Sequence, residues 1–582
     1  MTTPFAKHEA RAREILGTLS IEDKVGQMFH SMAFVSDPSG PNGFLDGPTV
    51  EQQIRERRVS HFNAVGAAAT AAEFAAWQNR IQEIATDAGL ATPITISTDP
   101  RNHFTNNPGA AMMAGPFSQW PETLGLAAIG DPELVRQFAD TARQEYLSVG
   151  LRAALHPQID LATEPRWSRA AGTFGESAEL TAKLAVPYIQ GFQGGESLSE
   201  VSVSTMTKHF PGGGPQKDGE DPHFPYGREQ VYPGGQFDLH LEPFKAAIAA
   251  GTAQMMPYYG MPIGLAGVEE VAFGFNKGIL TDLLRDQLGF EGVVCTDWGI
   301  LTDAAIMGQM WPARAWGVEH LSPKERLVKA VNAGVDQFGG EYCTEIMLEA
   351  VAEGLISEER IDQSVLRLIA QKISLGLFEK ATVDAAAAGA IAGNAAFRAA
   401  GVAAQARSLT VLKNYSGASK PVLPLAKGIK VYVEGVAPEA LAGYATVVAT
   451  PEEADVAFIR TDAPFEVRGQ GFESFFHAGS LDFPQERIDH INALAAKVPT
   501  VLGLYLDRPA IITPIVDSLA AVIADFGASD GAYASVLFGE AKAEGKLPFD
   551  LPRSMAAVEA SREDVPFDTE NPVFTFGHGL SF

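Results

Sequence analysis

The sequence predicts an α/β protein of two domains, a (β/α)8 TIM-like barrel followed by a smaller α/β sandwich domain. The chain of 582 residues is long enough for more than one domain. Short apolar runs alternate with helical patterns through its first part, which is typical of a parallel β/α architecture. An alanine-rich stretch at 381–405 then precedes a second βα pattern. We therefore expect a barrel domain at 1–380, a linker at 381–405 and a second domain at 406–582.

Eight candidate strands alternate with helix-like segments in the first domain. Asp131-Pro132 is typical of a helix start, because aspartate caps the first turn and proline fits inside it. Eight strands in such an alternation predict a closed barrel with one shared strand-end face. The candidate strands are Gln27–Ala33, Val59–Val65, Ile94–Thr98, Leu151–Leu155, Val203–Thr207, Gln254–Tyr258, Val293–Thr296 and Val335–Phe338.

The second domain repeats the alternation on a smaller scale. Helical patterns at Gln485–Lys497 and Ile511–Leu519 separate apolar runs, so we expect a sheet of five or six strands with both faces covered. The candidate strands are Ile429–Glu434, Ala445–Ala449, Val456–Arg460, Val501–Leu506 and Ala521–Asp525.

Composition excludes several classes of function. A formal net charge of −27 argues against nucleic acid or an anionic membrane as partner. The sequence contains no uncharged apolar stretch of about 18 residues, and its N-terminus lacks a signal-type apolar run, so we expect a cytoplasmic protein. Two cysteines are too few for a disulfide framework or a structural zinc site. The charge is compatible with a monomer or a homodimer.

Polar residues follow several predicted barrel strands. A single strand-end aspartate could simply cap a helix. Several such ends together predict an active site, because the carboxyl ends of barrel strands converge on one face. The strand-end groups are Asp99, His156, Asp160, Lys208, His209, Tyr258 and Asp297.

A long loop in the second domain carries further candidates. Residues Thr461–Pro484 show no clear secondary structure, and loops of this length in a compact domain are usually functional or disordered. Three nearby phenylalanines argue against disorder. The loop could cover the barrel mouth and bring Glu466 or Glu473 to it, or it could be a surface loop with solvated glutamates.

The residue types narrow the chemistry. No glycine-rich phosphate motif lies in a strand–helix context, so no nucleotide site is predicted. A divalent metal is one alternative, although Lys208, Arg166 and Tyr258 would crowd such a site with donors. The metal ligands would be Asp99, Asp160, Glu176, Asp297 and His209. We expect no metal and no cofactor.

Glycoside hydrolysis suits the pattern better. A retaining mechanism needs an ionised carboxylate nucleophile and a second group that donates and accepts the proton. That acid should have a raised pKa. The fixed partners that sugar hydroxyls and a sugar ring require are present as Asp99, Arg166, Lys208, His209 and Trp298.

At these residues the chain resembles glycoside hydrolase family 3, the β-glucosidase-like group. GFEGVVCTDW (Gly289–Trp298) is similar to the family's nucleophile motif, DLATEPRWSRAAGTFGES (Asp160–Ser177) to its D…PRWGR…E segment, and KHFPGGG to its Lys-His motif. The resemblance implies Asp297 as nucleophile and Trp298 as subsite wall. It also implies Arg166, Lys208, His209 and Asp99 as sugar ligands and Tyr258 as the tyrosine beside the nucleophile.

The resemblance extends into the second domain. SLTVLKN (Ser408–Asn414), PVLPL (Pro421–Leu425) and the ending FTFGHGLSF are similar to the family's second domain. In two-domain members this domain supplies the acid/base. APFE (Ala463–Glu466) resembles the corresponding region, which implies Glu466, with Glu473 as the alternative.

The segment around His209 and His223 also resembles, with differences, a second branch of the same family. The β-N-acetylglucosaminidase branch has KH-F-P-G-H-G followed shortly by Asp-Ser-His, whose histidine is the acid/base. This chain has Gly213 in place of the first histidine and Asp221-Pro222-His223 at a longer spacing. These differences and the full second domain favour the glucosidase branch.

The sequence thus predicts an exo-acting retaining β-glycosidase, a β-glucosidase in first place, that takes an oligosaccharide or glycoside as substrate. β-Xylosidase and β-N-acetylglucosaminidase are the alternatives within the family. Glucose and xylose differ only by C6, so the sequence does not choose between them. A sugar-binding protein without activity and a metal-dependent hydrolase are the competing classes.

Overall fold

A closed ring of eight parallel strands forms the first domain. The computed structural model describes residues 6–43, 45–105, 107, 111–415 and 421–582. The last strand pairs with the first, and a parallel bridge between Cys295 and Gln337 closes the ring. The predicted barrel is therefore confirmed. Its strands are β1 (Phe29–Phe34), β2 (His61–Val65), β3 (Thr95–Thr98), β4 (Ala153–Ala154), β5 (Ser204–Phe210), β6 (Gln254–Pro257), β7 (Val293–Val294) and β8 (Phe338–Gly339).

Helices surround this ring. Asp131 caps its helix by accepting hydrogen bonds from the backbone amides of Glu133 and Leu134, as the Asp-Pro pair predicts. Gln27 ends a helix, so β1 begins two residues later than its sequence pattern indicates. The helices are Glu9–Leu16, Ile21–Gln27, Val50–Arg57, Ala71–Asp87, Thr123–Ile129, Pro132–Ser148, Ala178–Gln193, Phe237–Ala249, the π-helix Gly278–Gln287, Pro323–Ala333, Thr344–Ala352 and Glu358–Ser374.

The alanine-rich segment after the barrel is helical. Ala385–Ile391 and Ala395–Ser408 are separate helices. The first packs against barrel helices Ala71–Asp87 and Pro132–Ser148, and the second contacts Thr123–Ile129 as well as the second domain. Small side chains allow this close packing, so the segment joins the two domains as ordered structure.

The second domain contains a six-stranded sheet. Its strands are β9 (Thr410–Asn414), β10 (Lys430–Glu434), β11 (Thr446–Val447), β12 (Val456–Asp462), β13 (Thr500–Tyr505) and β14 (Ala521–Asp525), and its helices are Gln485–Ala495, Thr513–Val516, Asp530–Leu537 and Met555–Ala560. The strand order is β9-β14-β13-β12-β10-β11, in which only the β9–β14 pair is antiparallel. Val522 and Ala524 face one apolar cluster, whereas Ala521 and Ile523 face the other, as the two-residue period of a strand requires.

Hydrogen bonds hold the second domain against the barrel. The carboxylate of the barrel residue Glu176 accepts the backbone amides of Asp550 and Phe567, both at 2.7 Å. In return, Asp564 of the second domain accepts the amides of Gly234 and Gln236 at 2.6 and 2.7 Å. These bonds hold the second domain in one orientation on the barrel. In this orientation the loop after β12 reaches the barrel.

Across the described part of the chain, no helix combines the length and the apolar character that crossing a membrane requires.

Candidate active site

A cavity of about 370 Å³ opens at the carboxyl ends of the barrel strands. Asp99 follows β3, Lys208 and His209 belong to β5, and Asp297 follows β7. All four line the cavity, together with Trp298. The strand-end residues that the sequence singles out are therefore neighbours in space, as parallel barrel strands dictate.

An ion pair forms the floor of the cavity. Lys208 Nζ lies 2.9 Å from Asp99 Oδ1, and Asn63 donates to Asp99 Oδ2 at 3.1 Å. Lys208 is 3% and Asp99 8% exposed, so both charges are almost fully removed from bulk water. A buried pair that still faces a cavity can bind a polar ligand strongly, because few water molecules compete with that ligand.

Asp297 presents a free carboxylate oxygen. Its Oδ1 accepts the backbone amide of Trp298 at 2.8 Å. Its Oδ2 is buried and has no hydrogen-bond partner among the described residues, and the imidazole atom Nε2 of His209 lies 3.7 Å away. An orphaned buried oxygen is costly unless a ligand or a reaction uses it. Asp297 thus keeps one carboxylate oxygen available to a ligand in the cavity.

His209 stays neutral beside it. Burial and the charge of Arg169 hold the pKa of His209 well below its usual value. Nδ1 donates to Asp160 at 2.7 Å, which leaves Nε2 to accept from Arg169 at 3.3 Å. Burial raises the pKa of Asp160 to about 6. The imidazole is therefore fixed in one orientation between Asp297 and Arg169.

Arg169 is a site residue that the sequence analysis missed. It lines the cavity, and its buried Nε and Nη1 atoms have no hydrogen-bond partner in the described part of the chain. Arg166, which the resemblance singles out, is held by Glu164 at 2.8 and 2.9 Å and is not among the described residues that line the cavity. Both arginines lie in one PRWSR segment, so only the three-dimensional structure separates them.

Of the adjacent residues Tyr258 and Tyr259, only Tyr259 is among the residues that line the cavity. Tyr258 donates to Asp221 at 3.3 Å and packs against the ring of His209 at 4.3 Å, behind the cavity wall. Tyr259 lines the cavity and donates to the carbonyl of Trp298 at 2.7 Å. Consecutive residues of an extended chain point in opposite directions, so a site prediction can miss by one position.

A second acid–base pair faces the cavity. His223 lines it, and His223 Nδ1 lies 2.6 Å from Asp221 Oδ1. The ring is 5% exposed and packs at 4.8 Å against both Tyr259 and Phe476. Within the described residues, His223 Nε2 has no hydrogen-bond partner. The imidazole can therefore exchange a proton with a ligand through Nε2 while Asp221 orients it.

The loop 461–484 reaches the barrel mouth, but through phenylalanines. Phe472 lines the cavity, and Phe476 packs on His223. Glu466 is exposed and accepts from Arg468 at 2.9 Å and from the Ser480 amide at 3.1 Å, and these two hydrogen bonds hold its pKa below the usual value.

Glu473, the alternative acid, is also outside the cavity lining. It is half-buried and accepts the hydroxyl of Tyr226 at 2.6 Å. Neither glutamate is among the described residues that surround the cavity.

Within the described ranges, no group of three or more histidine, cysteine, aspartate or glutamate side chains has a geometry that could bind a metal ion. Asp99 at the cavity is paired with Lys208, and Asp160 and Asp221, which lie outside the lining, are paired with His209 and His223.

Comparison with known proteins identifies the family. The profile of the glycosyl hydrolase family 3 N terminal domain matches residues 20–371, and that of the family's C-terminal domain matches residues 383–582. The chain belongs to glycosyl hydrolase family 3. It is therefore a glycoside hydrolase with a glycoside as substrate, and the resemblance noted in the sequence is confirmed.

Full-length relatives support the assignment. "Beta-glucosidase C" of Emericella nidulans is 51% identical over 99% of this chain and 92% of its own length. The "Periplasmic beta-glucosidase/beta-xylosidase" of Dickeya chrysanthemi is 42% identical over 98% and 89%. Among solved structures, a β-glucosidase from Listeria innocua in complex with isofagomine shares the fold, with a TM-score of 0.76 at 20% identity over 98% of this chain and 83% of that one.

In this family 3 chain the predicted site residues fall into two groups. The structure brings together Asp99, Lys208, His209, Asp297 and Trp298 around one cavity. It places Arg166, Tyr258, Glu466 and Glu473 outside the lining, and adds Arg169, Tyr259 and His223 to it.

Proposed function

We propose that this chain is an exo-acting retaining β-glucosidase. The observation that carries the proposal is the free, buried Oδ2 of Asp297 beside the Asp99–Lys208 pair at the floor of one cavity. Lys208 and Asp99 are almost fully buried, and a recess of this kind favours binding of the end of a sugar chain, which supports exo action. The names of the two full-length relatives support glucose as the terminal sugar.

In this proposal Asp297 attacks the anomeric carbon and forms a covalent glycosyl-enzyme, which water then hydrolyses with net retention. Asp99 accepts and Lys208 donates hydrogen bonds to adjacent sugar hydroxyls. Arg169 donates through its unpartnered Nε and Nη1. The half-buried ring of Trp298 forms an apolar wall for the sugar face.

For the proton transfer we propose His223 with Asp221. An acid/base must reach the glycosidic oxygen and later the attacking water. His223 borders the cavity with a free Nε2, whereas Glu466 is tied to Arg468 and Glu473 to Tyr226. Glu466 and Glu473 are the alternatives, and either would require the loop 461–484 to rearrange around Phe472.

A second candidate activity is β-N-acetylglucosaminidase, which the Asp221–His223 pair at the cavity favours. Initial rates on aryl β-glycosides of glucose, xylose, galactose and N-acetylglucosamine test both. We expect the glucoside to have the highest kcat/KM and NMR to show the β-anomer of glucose as the first product. Preference for the N-acetyl sugar, or release of the α-anomer, would contradict the proposal.

The cytoplasmic location and the assembly as monomer or homodimer stay predictions. Light scattering on the purified protein measures the mass of the assembly directly.

A further inference from the structure

A second cavity of about 360 Å³ lies between the sheet of the second domain and the barrel. Asp462, Tyr505 and Gly527 line it at or just after the carboxyl ends of β12, β13 and β14. In open α/β sheets, ligands bind outside the carboxyl ends of the strands, and a cavity of this volume can hold a small organic molecule. We call it the interdomain cavity. Its described lining shares no residue with that of the cavity at the barrel mouth.

The two basic side chains among the described lining residues are already held by carboxylates. Arg460 donates hydrogen bonds to Asp525 and Asp530. His477 is hydrogen-bonded through Nδ1 to Asp507, which also lines the cavity. Because both bases have carboxylate partners, neither is free to bind an anionic ligand.

Asp462 gives the interdomain cavity an unmatched negative charge. It ends β12 and is exposed, and its carboxylate has no hydrogen-bond or ion-pair partner among the described residues. With Asp462, four carboxylates of this region face at most two positive charges, those of Arg460 and His477. A site with this balance of charge attracts a cation.

Aromatic rings form the apolar part of the wall. Phe104 comes from the barrel, Phe475 from the loop 461–484 and Tyr505 from the end of β13. All three are only partly buried, so ring surface remains for a ligand. The face of an aromatic ring attracts cations through its quadrupole, and proteins recognise quaternary ammonium groups in this way.

We infer that the interdomain cavity binds an organic ammonium ion, with the ammonium group near Asp462 and its apolar substituents against Phe104, Phe475 and Tyr505. A bare metal ion fits less well, since no metal-binding cluster occurs among the described residues. A neutral sugar can donate hydroxyls to Asp462 but does not compensate its charge. The inference does not depend on the proposed β-glucosidase activity, because the two cavities share no described lining residue.

Choline and its uncharged analogue 3,3-dimethylbutan-1-ol test the inference, because they have the same shape and differ in charge. NMR titration of the methyl signal of each compound with the purified protein measures both affinities. We expect choline to bind about tenfold more tightly than the alcohol, and saturating glucose to leave its Kd unchanged. Equal affinities, no binding of choline, or displacement of choline by glucose would overturn the inference.

A matched pair of variants locates the site. Asp462→Asn removes the unmatched charge, and Asp482→Asn makes the same change at an exposed carboxylate of the same domain that is not among the described lining residues. We expect Asp462→Asn to raise the Kd of choline about two- to fivefold, as the loss of one partly solvated ion pair would, and Asp482→Asn to leave it unchanged. An unchanged Kd in Asp462→Asn, or equal changes in both variants, would refute the interdomain cavity as the binding site.

Discussion

Burial and charge act in opposite directions on the Asp221–His223 pair. Burial favours the neutral form of Asp221, yet the charges of His223 and Arg169 and the hydrogen bond from His223 hold the pKa of Asp221 well below its usual range. Burial lowers the pKa of His223, although Asp221 opposes this. The proton donor is the imidazolium form, so we expect kcat/KM to decline as pH rises through the lowered pKa of His223.

Replacing His223 by alanine should slow glucosides with poor leaving groups far more than those with good ones. Without a proton donor, we expect kcat/KM on an alkyl glucoside to fall by about 10² to 10⁴, because this is the usual contribution of general acid catalysis. A dinitrophenyl glucoside needs no proton, and its glycosyl-enzyme should be intercepted by azide to yield a glycosyl azide.

Glu466→Gln and Glu473→Gln are the matched controls, since both glutamates lie on the loop 461–484. We expect both to retain wild-type leaving-group dependence. If one of them instead shows the dependence and the azide product while His223→Ala does not, the acid/base belongs to the second domain.

A buried arginine, Arg508, contacts the loop 461–484 at several points. Arg508 is fully buried, and its guanidinium donates to backbone carbonyls at 2.7 to 3.1 Å. Burial lowers its pKa to about 10, so it remains charged. It thereby ties together both ends of the loop and the barrel, at the carbonyls of Arg166, Pro464, Ala478, Gly479 and Ser480.

Arg508→Lys should loosen this loop. A lysine ammonium cannot reproduce the planar fork, so several buried carbonyls would lose their donor, at a cost of about 3 kcal/mol in the free energy of unfolding. We expect a lower Tm and a lower kcat/KM, because Phe472 and Phe476 would no longer be held at the cavity. Arg487→Lys, at a solvent-accessible position of the same domain, is the control. Equal Tm and kcat/KM in both variants would show that Arg508 does not order the loop.

Sequence patterns located the elements of the site better than its individual side chains. The strands and their terminal residues Lys208, His209 and Asp297 follow directly from hydrophobic pattern and barrel geometry. The position of Arg169, rather than Arg166, in the cavity lining does not follow from the sequence, because it depends on the hydrogen bonds that hold the guanidinium of Arg166 on Glu164.

The orientation of the loop 461–484 and the presence of edge strand β9 were likewise not predictable from the sequence pattern. The sequence does not indicate that Phe472 of the loop lines the cavity, or that a hydrogen bond from Arg468 holds Glu466 outside the cavity lining. Strand β9 was absent from the predicted strands, because it lies at the sheet edge and pairs antiparallel, outside the βα alternation.

The two domains meet at a buried carboxyl group whose ionisation bears on the whole molecule. Glu122 Oε1 accepts the amides of Phe104 and Thr105 at 2.9 and 2.7 Å and the hydroxyl of Tyr505 of the second domain at 3.2 Å. Burial raises the pKa of Glu122 to about 7. Folded protein therefore holds a proton that the unfolded chain releases, and stability falls as pH rises from the unfolded pKa of 4.5 to about 7.

Glu122→Gln should remove this pH dependence. The amide oxygen can accept the same hydrogen bonds and never ionises, so the variant should gain up to about 3 kcal/mol relative to wild type between about pH 5 and about pH 8. Thermal unfolding of both proteins at the two pH values measures this. A difference in Tm that is the same at both would show that Glu122 does not titrate in this window.

The central claim is that Asp297 becomes covalently glycosylated. A 2-deoxy-2-fluoroglucoside with a good leaving group should accumulate as the glycosyl-enzyme, because fluorine disfavours the charged transition state of both steps. Mass spectrometry of the digested protein should find one added sugar on the peptide that contains Asp297, and Asp297→Ala should remain folded, unlabelled and inactive. A label on another carboxylate, or near-wild-type turnover by Asp297→Ala, would contradict the account.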